Sequence, residues 1–128
     1  MLTIPAMARR ALLLVFLSAT SACYGDFENF VERAAKLECK RLETCEARNY
    51  SQYEETCAGL SCKRDTRRRC RDDIEDRWRA LDRNDRCEYD PDEAELCIEA
   101  LRDNKRQCPG SDVNIDPPDD CGFVFDCS

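Results

Sequence analysis

Eleven cysteines in 128 residues, with no histidine at all, constrain this chain more than any other feature. Pairing within the chain cannot use up an odd number: ten can form five bridges and one is left over. Cys23 is set apart by its position, directly behind a short apolar run near the amino terminus. The other ten, Cys39, Cys45, Cys57, Cys62, Cys70, Cys87, Cys97, Cys108, Cys121 and Cys127, are spread through a polar remainder. Cysteine at this density in a small chain points to a disulfide scaffold made in an oxidising compartment. Metal ligation is the competing use. Cys57-x4-Cys62 and Cys121-x5-Cys127 are wider than a zinc knuckle, and without histidine no mixed site can be completed. The ten later cysteines are therefore expected to be disulfides.

The first 22 residues have the order of a secretory signal. Arg9 and Arg10 supply the positive start, and residues 11–22 form a mostly apolar run of 12 around Leu12-Leu13-Leu14-Val15-Phe16-Leu17. A membrane-spanning helix needs about 20 apolar residues, so this run is too short to be one. Met7 offers an alternative start to the same signal. Thr20-Ser21-Ala22-Cys23 resembles the lipobox of bacterial lipoproteins, with Ser21 and Ala22 at the two small positions and Thr20 where Leu, Val or Ile is usual. The resemblance implies that the Cys23 thiol receives a lipid and that the chain is cut just before it. The alternative is plain cleavage after Ala22, which leaves Cys23 as a loose thiol. The expected organisation is a signal peptide over 1–22, a lipidated leader over 23–25 and one disulfide-rich helical domain over 26–128.

Removing residues 1–22 leaves 106 residues and moves the net charge from −7 to −9, because Arg9 and Arg10 are lost. Such a surface repels itself and argues against a nucleic-acid partner. The oily residues are few. The mature part holds 16 Leu, Ile, Val and Phe, about 15% of it, below the ~20% under which a highly charged chain is usually disordered. Cysteine can supply apolar volume, and each bridge contributes about 2–4 kcal/mol by restricting the unfolded chain. Without the bridges the chain is not expected to fold.

Phe27, Phe30, Val31, Ala34, Leu37, Leu42 and Cys45 form an apolar stripe at helical spacing and predict an amphipathic helix over roughly 26–48, with Asp26 as its N-cap. A second helical stretch covers about 52–83 and is broken around Gly59. Its better half repeats Cys70, Ile74, Trp78 and Leu81, and its outer face sets Arg71–Glu75, Asp73–Arg77 and Glu75–Arg79 at supportive spacing. Residues 84–90 are expected to be a polar loop holding Cys87. Asp90-Pro91-Asp92-Glu93 then starts a third helix with a cap, a first-turn proline and first-turn acids. Its stripe is Ala94, Cys97, Ile98 and Leu101. Lys105 and Arg106 lie near its end, which Cys108-Pro109-Gly110 closes. The tail over 111–128 is expected to be an ordered loop pinned by Cys121 and Cys127, with Phe123 and Phe125 folded back on the helices. The fold class that follows is all-α: a small disulfide-stapled three- or four-helix array with an irregular C-terminal tail. A hairpin of the first two helices would bring Cys45 to Cys57, and mid-helix positions suggest a weaker pairing of Cys39 with Cys97.

The helix carrying Cys39 and Cys45, together with Tyr89-Asp90-Pro91-Asp92, Cys97, Leu101, Cys108 and Cys121-Gly122-Phe123-Val124-Phe125, resembles the small cysteine-rich lipoproteins of myxobacteria and related Gram-negative bacteria. The likeness is one of pattern, with paired cysteines on helices. It implies a cell-envelope location and brings no catalytic residues with it.

Three further features bear on chemistry. Asp112-Val113-Asn114-Ile115-Asp116 copies the opening of an EF-hand loop, but Pro117 stands where glycine is needed and Phe123 where the closing glutamate belongs. A solvated acidic loop is the preferred reading, with an irregular calcium site as the alternative. Lys63-Arg64-Asp65-Thr66-Arg67-Arg68-Arg69-Cys70-Arg71 packs six bases into nine residues and could grip phosphate on nucleic acid or lipid headgroups. With acids following at once and no aromatic interleaving, a salt-bridged solvated face is the favoured reading. Asn49-Tyr50-Ser51 matches a glycosylation sequon, which has no bearing in a bacterial lipoprotein.

An enzyme is not expected. Without histidine there is no triad and no imidazole base, and so small a core leaves little room for a substrate cleft. No catalytic residue, cofactor or metal site is assigned. The expected function is that of a non-enzymatic envelope lipoprotein, anchored in the outer membrane through Cys23 and acting structurally or through a protein partner. A freely secreted toxin, inhibitor or effector, and a calcium- or ligand-binding module, are the alternatives.

Overall fold

In the computed structural model, which describes residues 24–54, 59, 61–104 and 107–128, the described residues form four helices: α1 (Phe27–Thr44), α2 (Arg48–Ser51), α3 (Cys62–Asp82) and α4 (Pro91–Asn104). A two-stranded antiparallel ribbon joins β1 (Cys87–Tyr89) to β2 (Phe125–Cys127), and a 3-10 turn spans Asp119–Phe123. The protein is thus a small, disulfide-stapled helical array. The expectations that fall on residues 1–23, on Cys57 and on Lys105 and Arg106 lie outside the described residues.

α1 begins where Asp26 accepts the Glu28 N–H. Phe30, Val31, Ala34, Ala35, Leu37, Cys39 and Leu42 are buried along it, so its apolar stripe reaches two partners. The helix ends earlier than its periodicity suggests. Ala47 donates back to the Leu42 carbonyl and Glu46 to that of Glu43, closing a Schellman turn. Glu46 holds the left-handed position of that turn with φ 49°. No glycine marks the stop, so the sequence pattern runs on to residue 48.

α3 lies antiparallel to α1, as four cross-links along the seam show: Arg79 to Glu28, Trp78 to Phe30, Cys70 to Cys39, and Arg67 to Glu43. Only Thr66, Cys70, Ile74 and Trp78 are buried on α3, one residue per turn. So narrow a stripe anchors a 21-residue helix weakly, and the Cys39–Cys70 bridge at its middle adds the missing constraint. Two of the expected surface pairs form, Asp73–Arg77 at 2.7 Å and Glu75–Arg79 at 3.5 Å. Glu75 pairs with Arg79 in place of Arg71.

α4 packs against α1 from another side. Asp90 caps it as expected, accepting from the Asp92 and Glu93 N–H groups. Ala94, Cys97, Ile98 and Leu101 are buried. An aromatic cluster closes the end of the array: Phe27 meets Tyr89 and Phe125 edge-on at 5.1 and 5.5 Å, and Phe30 meets Trp78 at 4.9 Å. Tyr24, assigned to the leader from sequence, joins this end: its carbonyl accepts the Tyr89 hydroxyl.

Several expectations are corrected. Cys45 pairs with Cys108 rather than Cys57, because after α1 the chain turns into α2 and the segment beyond α4 runs alongside it. There Arg48 donates to Val113 and Asp112 to Glu46. Cys39 pairs with Cys70 and Cys97 with Cys121, not with each other, because Cys39 faces α3 while Cys97 faces the 3-10 turn. Residues 87–89 of the expected loop form β1, tied to β2 by Cys87–Cys127. Phe125 folds back as expected, but Phe123 is 64% exposed: it ends the 3-10 turn on the outer side. Leu81 and Leu96 are likewise partly exposed. Cys62 is disulfide-bonded as well.

Candidate functional site

The α1–α3 seam has two flanks with opposite electrostatics, and the local sequence explains both. Helical spacing brings Lys36, Lys40 and Glu43 onto one side of α1 and Arg64, Arg67 and Arg71 onto the facing side of α3. Together they line an open groove of about 620 Å³ whose lining also includes Cys39 of the Cys39–Cys70 bridge. Arg67 grips Glu43 through two bonds of 2.8 Å, Nε to Oε2 and Nη2 to Oε1. Hydrogen bonding from Arg67 holds the Glu43 carboxyl below its usual range, against a weaker effect of burial. Arg68 pairs with Asp65 on the same helix. Among the described residues, Lys36, Lys40, Arg64 and Arg71 have no carboxylate within 4.0 Å. Further along, Glu32, Asp72 and Glu75 join Lys36, Arg68 and Arg71 around a second hollow, where positive and negative groups balance.

The expected salt-bridged face is therefore only half of what the basic run makes. Arg67 and Arg68 are neutralised, whereas Arg64 and Arg71 open onto the groove. The sequence pattern missed Lys36 and Lys40, which lie some thirty residues earlier on the partner helix and meet the run only after α1 and α3 pair.

On the other flank the C-terminal segment covers the seam. Arg41 donates to the Asp116 carbonyl, and the Asn49 side chain both donates to the Ile115 carbonyl and accepts its N–H. These bonds fold residues 115–117 over Glu38, Arg41 and Arg77 and leave a hollow of about 80 Å³. Glu38 is nearly buried, and its Oε1, like Arg41 Nε, has no hydrogen-bond partner among the described residues. Burial pushes the Glu38 carboxyl up to about 7, against hydrogen bonding from Trp78 and the charges of Arg77 and Arg41. Burial also raises the nearby Tyr53 phenol to about 12, helped by its hydrogen bond to Asp73. A legible signal for Glu38 existed: it lies four residues after Ala34 and four before Leu42, on the buried stripe.

The acidic loop is drawn into this same cover. Asp112 pairs with Arg48, and the carbonyls of Val113, Ile115 and Asp116 accept bonds from Arg48, Asn49 and Arg41. Asn49 of the sequon is held there by both ends of its amide. Among the described residues no three Asp, Glu or Cys side chains cluster as a metal site, and no helix is long and apolar enough to cross a membrane. The nine described cysteines of the expected disulfide set are all disulfide-bonded, which places the chain in an oxidising, exported environment. No protein family, curated protein or solved structure matches the chain.

Proposed function

We propose that the protein is a non-enzymatic lipoprotein of the cell envelope, a rigid helical module held at a membrane by a lipid on Cys23 and acting structurally or through a protein partner. The supporting observation is that all nine described cysteines are disulfide-bonded. The ten cysteines of the expected set can close five bridges, and Cys23 is the eleventh. Tyr24 sits by Tyr89 at the Glu28–Arg79 end of the seam.

An odd cysteine behind a signal-like run, in a compartment that oxidises every cysteine described, fits acylation. Tyr24 is docked on the aromatic cluster, so the lipid would hold the module at that end. An outer-membrane destination and the likeness to the myxobacterial type of lipoprotein belong to this reading. The absence of histidine supports a binding or structural role over catalysis. Metabolic labelling with a palmitate analogue in the native host tests it. Label that disappears in Cys23→Ala supports the tether. An unlabelled wild type, or label surviving Cys23→Ala, replaces it with a freely secreted mini-protein.

A further inference from the structure

We propose that the basic groove between α1 and α3 is a binding site for an anionic phosphate group, carried by a phospholipid headgroup or by a soluble phosphate compound. The inference is independent of the tether on Cys23.

Its first support is a repulsion that the fold leaves only partly compensated. Lys36 with Lys40, Arg64 with Arg68, and Arg67 with Arg71 are like-charge pairs at the i,i+4 spacing, which disfavours a helix; Glu43 and Asp65 offset only Arg67 and Arg68. The chain carries 27 acids against 20 bases, so carboxylates to neutralise them are plentiful. Yet Lys36, Lys40, Arg64 and Arg71 have none within 4.0 Å among the described residues. The one acid in the groove lining, Glu43, is already held by Arg67.

The second support is rigidity. The two walls are helices joined by Cys39–Cys70, and Cys39 is part of the groove lining. Little ordering of the backbone is then needed when an anion enters, which favours binding. The third is chemistry. Two guanidinium forks match phosphate oxygens in paired bonds, and two ammonium groups add point charges. A groove of about 620 Å³ has room for several phosphate groups. No aromatic ring lines it, so there is no platform for stacking a nucleobase.

The test uses the full, oxidised chain carrying Cys23→Ser, so that no lipid contributes to binding. Tripolyphosphate is titrated calorimetrically at low ionic strength, and in a parallel arm the protein is sedimented with phosphatidylglycerol or phosphatidylcholine vesicles. Lys36→Ala/Arg71→Ala is compared with Arg83→Ala/Arg86→Ala, which removes the same charge at the far end of α3 and beyond. Saturable binding that weakens with salt is expected. It falls at least about tenfold in the groove variant and by less than about twofold in the control. Sedimentation with phosphatidylglycerol alone identifies a headgroup as the source, and tripolyphosphate binding without vesicle binding identifies a soluble phosphate. Absence of saturable binding to either probe overturns the proposal. So does an equal loss in both variants while both remain folded by circular dichroism, since that reads net charge and not a site.

Discussion

The two flanks of the α1–α3 seam are built from the same two helices and are both rich in charge, yet they reach opposite outcomes. On the open flank Lys36, Lys40, Arg64 and Arg71 lie side by side around an open groove, where water and salt screen their repulsion. On the covered flank residues 115–117 lie over Glu38, and burial drives its carboxyl towards the neutral form although Arg41 and Arg77 are near. Burial outweighs two neighbouring positive charges and a hydrogen bond. The difference shows that cover, more than composition, decides what a charged residue does on this protein. The Asn49 and Arg41 bonds to the tail set where that cover lies.

The largest expected effect comes from removing the staple both flanks share. Cys39→Ala/Cys70→Ala opens a crosslink spanning 31 residues and should cost about 3–4 kcal/mol by the loop-entropy relation. Urea denaturation measures it. A loss below about 1 kcal/mol would mean that the narrow stripe of α3 holds by itself.

Glu38 gives the next effect, with a definite sign. Its carboxyl titrates near 4.5 in the unfolded chain and about 7 in the folded one. Between those values the native state binds more protons, so stability is full below pH ~4.5 and falls as pH rises through about 7, by roughly 3 kcal/mol. Denaturation midpoints at pH 4.5 and 8 read this out, and Glu38→Gln should flatten the profile and be the more stable chain at pH 8. An unchanged profile in the variant would locate the pH dependence elsewhere.

Asn49→Ala probes the cover itself. It removes two bonds to Ile115 and should destabilise by about 1–3 kcal/mol. With residues 115–117 loosened, the Glu38 carboxyl should drop back towards the ordinary glutamate range, followed by carboxyl NMR titration. If stability falls and Glu38 does not move, something other than this segment excludes the water. The smallest effect belongs to the open flank: Arg67→Ala should raise the Glu43 carboxyl towards its ordinary range. The accompanying change in melting temperature should be the least of the four, since exposed ion pairs contribute little.

Much of the helical framework was legible in the sequence because its signals are local. The Asp26 and Asp90 caps, the stripes of α1 and α4, and the pairs Asp73–Arg77 and Glu75–Arg79 all depend on residues within about a turn of one another. The β1–β2 ribbon was not legible. Three-residue strands 35 or more positions apart carry no period of their own, and they align only once Cys87 meets Cys127. Nor could alternation separate Phe123 from Phe125, because a 3-10 turn ends between them and changes the direction of the side chains. The basic groove was half visible: its α3 wall is a contiguous run, whereas its α1 wall is two lysines that draw no notice alone.

The sequence by itself determined that this chain is a disulfide-rich molecule with few oily residues, of the kind made in an oxidising, exported compartment, and that its ordered parts are amphipathic helices. Those conclusions rest on counts and on spacings of three to four residues, which need no knowledge of the rest of the chain. Only the tertiary structure decided which cysteines meet, which bases share a groove and which carboxylate loses its water. Each of these is a property of distance in space between segments far apart in the chain, fixed jointly by helix packing and by the path of the C-terminal segment.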